Sequence, residues 1–230
     1  MPAMTAEGRV VVVAGATGPL GQAVATSFAA DGQPVVVLGR DQAALDSLVA
    51  RLPPGSTRHL ALAADPTDAG QLVGAAQRVR DELGGAAIVI DAIGGYRGDT
   101  GLAEAPADEL EAMLDAHVRS AWNLLRTFLP DIRVATGGRV ITVSTTTAAT
   151  PGSTGAAYAA AKAALETLTM SVAKELAKTD ATANIIVLRV IGDEKRTGTS
   201  TDEIVAAIRW LCSPEASAVN GQRIPLVGRA

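Results

Sequence analysis

The fold is decided near the start of the chain, in Arg9-Val10-Val11-Val12-Val13-Ala14-Gly15-Ala16-Thr17-Gly18-Pro19-Leu20-Gly21. Four consecutive valines leave no polar face, so this run reads as a strand buried on both sides of a parallel sheet. It passes directly into three glycines spaced G-x-x-G-x-x-G, and helix-like sequence follows over residues 20–30. Strand, glycine turn and helix form the setting in which backbone N–H groups close on a pyrophosphate, where the helix dipole favours negative charge. Gly15, Thr17, Gly18, Leu20 and Gly21 are therefore candidate dinucleotide contacts. A tight strand–helix turn without a ligand would use the same glycines, so the motif needs support from the rest of the chain.

Working outward, short β-branched runs recur at residues 34–39, 58–64, 86–91, 138–144, 183–190 and 220–226. Alanine-rich or amphipathic segments separate them at 41–51, 68–83, 106–129, 155–174 and 202–212, the first ended by Pro53-Pro54-Gly55. This alternation predicts an α/β fold: a doubly wound Rossmann domain with a seven-stranded, mainly parallel sheet and helices on both faces. Nothing in residues 1–230 reads as a linker or repeat, so one domain is expected, with 1–8 as a tail.

Net charge −4 and a pI near 5.2 argue against nucleic acid or an anionic membrane as the main partner. One cysteine, Cys212, excludes an internal disulfide and fits a reducing compartment. No apolar run approaches the ~18 residues of a membrane span, and residues 1–8 lack the apolar core of a signal peptide. A cytoplasmic protein with a small-molecule substrate and no metal is expected.

The strand ends carry further candidates. Arg40 follows the second strand, where an arginine accommodates the 2′-phosphate of NADP and an acid would take the ribose of NAD. Arg40 alternatively pairs with Asp41 or Asp46. Asp65, after the third strand, contacts an adenine ring or caps a helix. The loop after the fourth strand, residues 93–101, is glycine-rich: Ile93 and Gly94 let the chain pass close to a flat ring, and Tyr96 and Arg97 can line a pocket. Tyr158 and Lys162 lie four apart on a helix and so share a face. A phenol with a pKa near ~10 is a poor catalyst at neutrality; lowering it by about three units requires roughly 4 kcal/mol, which a lysine and a cationic cofactor would supply together.

With these motifs in order, the sequence resembles the short-chain dehydrogenase/reductase family along essentially its whole length. In that family a serine commonly lies thirteen positions before the tyrosine, which falls on Thr145, with Ser144 adjacent as a competitor. An asparagine commonly precedes the serine by about twenty-eight positions, which falls on His117. The resemblance implies NADP(H), in preference to NAD(H), exchanging hydride with a small carbonyl or alcohol. Tyr158 would serve as acid/base, Lys162 would lower its pKa and bind the nicotinamide ribose, and a strand-five hydroxyl would hold the substrate oxygen. His117 would either relay a proton, titrating near neutrality, or satisfy a helix carbonyl. Leu188-Arg189 replace the expected Pro-Gly, and the substrate loop shrinks to 191–201. With the Gly94-Gly95-Tyr96 turn, these features look similar to the dihydropteridine-reductase-like branch, which adds a pterin-like ring to the substrate classes. The helices carrying His117 and Tyr158 imply a homodimer or homotetramer. The altered companions of Tyr158 leave a second reading open: an NAD(P)-binding sensor or regulatory protein with little turnover.

Overall fold

The computed structural model describes residues 8–53, 58–192 and 198–228. Seven strands form one sheet: β1 (Val11–Ala14), β2 (Val35–Gly39), β3 (Leu60–Ala63), β4 (Ile88–Asp91), β5 (Arg139–Thr145), β6 (Thr182–Leu188) and β7 (Arg223–Leu226). Their order is β3-β2-β1-β4-β5-β6-β7 and every neighbouring pair is parallel, stricter than the mainly parallel sheet expected. The helices are α1 (Pro19–Ala30), α2 (Gln42–Arg51), α3 (Ala69–Leu83), α4 (Glu109–Leu114), α5 (Ser120–Val134), α6 (Ala156–Leu176) and α7 (Thr201–Cys212).

The valine run explains the two layers. Alternate side chains of a strand point to opposite faces. Val10, Val12 and Ala14 pack with α3, α5 and α6, while Val11 and Val13 pack with α1, α2 and α7. Val11, Val12 and Val13 are fully buried, each contributing about 1.5 kcal/mol or more. Strand order reverses around β1, and the crevice beyond the carboxyl ends of β1 and β4 is where such sheets bind ligands.

Three boundaries differ from the sequence reading. The helix expected over 106–129 is two helices joined by a π turn at Asp115–Arg119, and His117 lies within that turn. The same segment continues through Pro130 to Val134; Pro130 and Arg126, whose carbonyl loses a partner, are both exposed to solvent. The last strand begins at Arg223, because Asn220 uses its side chain to bond Ala183 N and Ala173 O. Pro54, Gly55, most of the tail and residues 193–197 of the short loop lie outside the described residues. The base of that loop is closed by backbone bonds between Gly192 and Thr199 and between Thr199 and Val190. Among the described residues no helix is long and apolar enough to cross a membrane.

Candidate active site

At the carboxyl edge of the sheet lies a cavity of about 930 Å³, lined from the glycine turn across to the end of β6. Gly15, Thr17, Gly18, Leu20, Gly21, Arg40, Asp65, Ile93, Gly94, Ser144, Thr145, Tyr158 and Lys162 all line it. His117 does not line the cavity; it sits directly behind Tyr158.

The glycine turn is built for close approach. Gly15 has φ +74°, and a Cβ there would stand 2.7 Å from Ala92 O. A Cβ on Gly21 would collide with the Gly15 carbonyl, so α1 starts hard against the turn. Helix α1 has no side-chain cap and no acid in its first turn, leaving its positive end uncompensated beside the cavity. Arg40 is exposed and has no partner among the described residues; Asp41 caps α2 instead, and Asp46 accepts from Gln42. Asp65 does not cap α3, a role taken by Asp68. Its Oδ1 accepts from Thr67 N at 2.9 Å and Thr67 Oγ1 at 2.7 Å.

The tyrosine end is built from side chains. Tyr158 makes edge-to-face contacts with Tyr96, ring centroids 5.1 Å apart, and with His117 at 5.4 Å. Tyr96 is fixed in turn by its hydroxyl, which donates to Gly98 O at 2.7 Å. Among the described residues Tyr158 Oη has no hydrogen-bond partner. Arg97 points elsewhere, pairing with Asp108 at 3.1 Å on the surface.

Lys162 is buried and donates to Val143 O at 2.9 Å, with Nζ 5.9 Å from the Tyr158 ring centroid. Burial lowers its pKa to about 8, although Asp91 and Glu166 both pull it up. The protein's own groups push the Tyr158 phenol above its usual value, by burial first and by Tyr96 second. Burial of the phenol sets that direction, whereas the lowering expected for Tyr158 was assigned to Lys162 together with a cationic cofactor.

His117 behaves differently from either expectation. Its Nε2–H donates to the carbonyl of Gly95, in the β4 loop, at 2.9 Å. Burial and the nearby Lys162 lower its pKa to about 4, so it stays neutral at physiological pH and does not titrate near neutrality. The two strand-five hydroxyls also separate. Ser144 Oγ donates to the buried Glu166 at 2.7 Å, and Glu166 is held by Arg223 at 2.8 Å. Thr145 Oγ1 only accepts, from Thr147 N at 3.4 Å and Thr147 Oγ1 at 3.3 Å, which keeps its own hydrogen available. The geometry therefore favours Thr145 over Ser144 for a ligand oxygen. Sequence reasoning missed Ser120 and Val190 as lining residues, and treated Arg189 only as a replacement; Ile191, Gly192 and Thr201 of the expected substrate loop do line the cavity. The end-of-strand position of Arg189, one residue past the Thr145–Leu188 pair, was the available signal.

An open parallel sheet whose switch point carries a glycine cradle and a free phenol belongs with the dinucleotide-dependent oxidoreductases. The sequence matches the short chain dehydrogenase family over residues 9–203, and the chain is a member of that family, a short-chain NAD(P)(H)-dependent dehydrogenase/reductase. It is 27% identical over 244 aligned positions to the 3-oxoacyl-(acyl-carrier-protein) reductase FabG of Vibrio cholerae, covering 98% of each chain. It is 29% identical to an NADPH-dependent pterin aldehyde reductase of Arabidopsis thaliana over 168 residues, 73% of this chain and 69% of that protein. Its fold matches an NADPH-bound short chain oxidoreductase of Pseudomonas aeruginosa described as having an atypical catalytic center (TM-score 0.86, 24% identity, 94% of each chain). It also matches L-sorbose reductase of Gluconobacter frateurii with NADPH and L-sorbose (TM-score 0.87, 24% identity, 98% of this chain and 97% of that one).

Proposed function

We propose that the protein is an NADP(H)-dependent oxidoreductase acting on a small carbonyl, alcohol or pterin-like substrate, with Tyr158 as acid/base assisted by Lys162. The observation that carries this is Tyr158 Oη, unpartnered among the described residues, in a cavity shared with the glycine turn and Lys162. The residues fit the dinucleotide: Gly15 and Gly21 leave room that a Cβ would fill, α1 offers an uncapped positive end, and Arg40, without a partner among the described residues, would take a 2′-phosphate. The NADPH in the names of one relative and two structural neighbours supports the same preference.

When bound, the nicotinamide supplies or accepts the hydride. Tyr158, kept protonated by burial, gives its proton to the carbonyl oxygen in reduction. Thr145 donates its hydroxyl hydrogen to the same oxygen as negative charge develops there. Lys162 holds a positive charge behind the phenol below about pH 8 and steadies the tyrosinate that reduction leaves. His117 does not exchange protons; it fixes the Gly95 carbonyl and the back of the Tyr158 ring.

A homodimer or homotetramer formed through α5 and α6 is part of this proposal; α5 exposes Trp122 at 57%, and light scattering tests the assembly. The deciding experiment is NADPH oxidation over a panel of carbonyl and quinonoid substrates. Tyr158→Phe is expected to cut turnover about a thousandfold while NADPH still binds. NADPH binding without any Tyr158-dependent turnover would instead establish the sensor reading.

A further inference from the structure

The cavity has a second arginine. Arg40 and Arg189 both line it, and neither has a hydrogen bond or ion pair among the described residues. The other charged lining residues are Lys162, occupied by Val143 O, and Asp65, occupied by Thr67. The protein carries a formal charge of −4. A cavity in which two of the four charged residues are free arginines, in an acidic protein, is shaped for anions at two places.

The two places are far apart. Arg40 follows β2 and Arg189 follows β6, four strand positions away, which is roughly 19 Å across a sheet. Arg40 is spoken for by the cofactor phosphate under the oxidoreductase reading. Arg189 stands at the other end, one residue beyond Leu188, whose Cα partner in the sheet is Thr145. The Thr145 hydroxyl, whose own hydrogen is uncommitted, marks where the reacting oxygen would be held, so the guanidinium starts from the neighbouring strand end, within a side chain's reach of that oxygen. Ile191, Gly192 and Thr201 continue the same wall.

We propose that Arg189 binds an anionic group of the substrate, which makes the preferred substrate a carbonyl compound carrying a carboxylate or phosphate a few bonds from the carbonyl carbon. This rests on the oxidoreductase reading for the position of the reacting oxygen. A planar guanidinium with five donors suits a carboxylate or phosphate, and a charge-assisted pair at a partly open site changes affinity about tenfold.

The test measures binding, so it stands apart from turnover. Pyruvate, acetoacetate and levulinate place the carboxylate progressively further from the ketone; each is titrated against its methyl ester, with and without NADP⁺ present. The wild-type protein is expected to bind at least one of the acids about tenfold more tightly than its ester. Arg189→Gln should erase that preference, leave ester binding within about twofold and leave NADPH affinity unchanged. Equal affinity for every acid and its ester in the wild type overturns the proposal. So does an Arg189→Gln variant that loses NADPH affinity, which would assign Arg189 to the cofactor pyrophosphate. Arg189→Lys, which keeps the charge, separates loss of the anion contact from misfolding: it should retain part of the preference. Loss of Tyr158-dependent turnover bears on the oxidoreductase reading alone, because acid-over-ester binding does not require the reaction.

Discussion

The two ends of the cavity are made of different materials. At the β1–α1 end the walls are backbone: Gly15 lies against Ala92, Gly21 against the Gly15 carbonyl, and an uncapped helix end faces inward. At the β5–α6 end they are side chains: Tyr96, His117 and Tyr158 brace one another, and Ser144 and Lys162 are tied to neighbouring groups. A backbone wall has one solution, glycine, because anything larger strikes a peptide. A side-chain wall has several, since any group that reaches the same carbonyl can substitute. Three departures from the family pattern, at Thr145, His117 and Arg189, fall at the side-chain end; at the backbone end Pro19 replaces a glycine of the turn, with Gly18 one position earlier.

The sharpest way to break this contrast is a pair of alanine substitutions. Gly21→Ala should lower stability by about 3 kcal/mol, despite alanine's better helix propensity, because the new methyl meets the Gly15 carbonyl. Gly94→Ala, in the loop after β4, has open space for its Cβ and should change stability by less than about 0.5 kcal/mol. Urea unfolding of both variants measures the difference, and equal losses would dissolve it.

The next effect tests His117 as a neutral brace. Its pKa, about 4, lies below the ordinary 6.5, so between those values the unfolded chain takes up a proton that the folded chain refuses. Its contribution is therefore complete above pH 6.5 and is lost as the pH falls toward 4. Between pH 7 and 5 this amounts to about 2 kcal/mol. Denaturant melts should show that much more acid destabilisation in wild type than in His117→Asn; parallel slopes would count against a buried, neutral imidazole. The smallest effect lies at the backbone end, where a single side chain sets a preference. Arg40→Asp should weaken NADPH about tenfold and leave NADH nearly unchanged, read by titration of cofactor fluorescence.

The same division explains what could be read from the sequence. Strand β1 and its glycine turn were legible because buried valines and close-packed glycines are consequences of sheet geometry, and the seven-stranded α/β layering followed from the alternation. The π turn at Asp115–Arg119 was not legible: one extra residue in a helical turn leaves no mark in an amphipathic pattern of this length. Nor was the fate of His117, since its partner, Gly95 O, sits 22 residues away in a loop. Ser144 and Thr145 are adjacent hydroxyls in the chain, and only the pleat of β5, with Glu166 on α6 behind it, sends the first of them inward. Asp65 was read as a possible helix cap because the true cap, Asp68, is three residues on.

The chain has two tyrosines, Tyr96 and Tyr158, and they touch each other at the cavity wall. Any optical or magnetic signal specific to a phenol therefore arises at this one place, without labelling. A change in phenol ionisation on adding cofactor, substrate or alkali can be followed in the native protein, with Tyr96→Phe assigning each part to its ring. The protein carries its own indicator dye where the proton is to be exchanged.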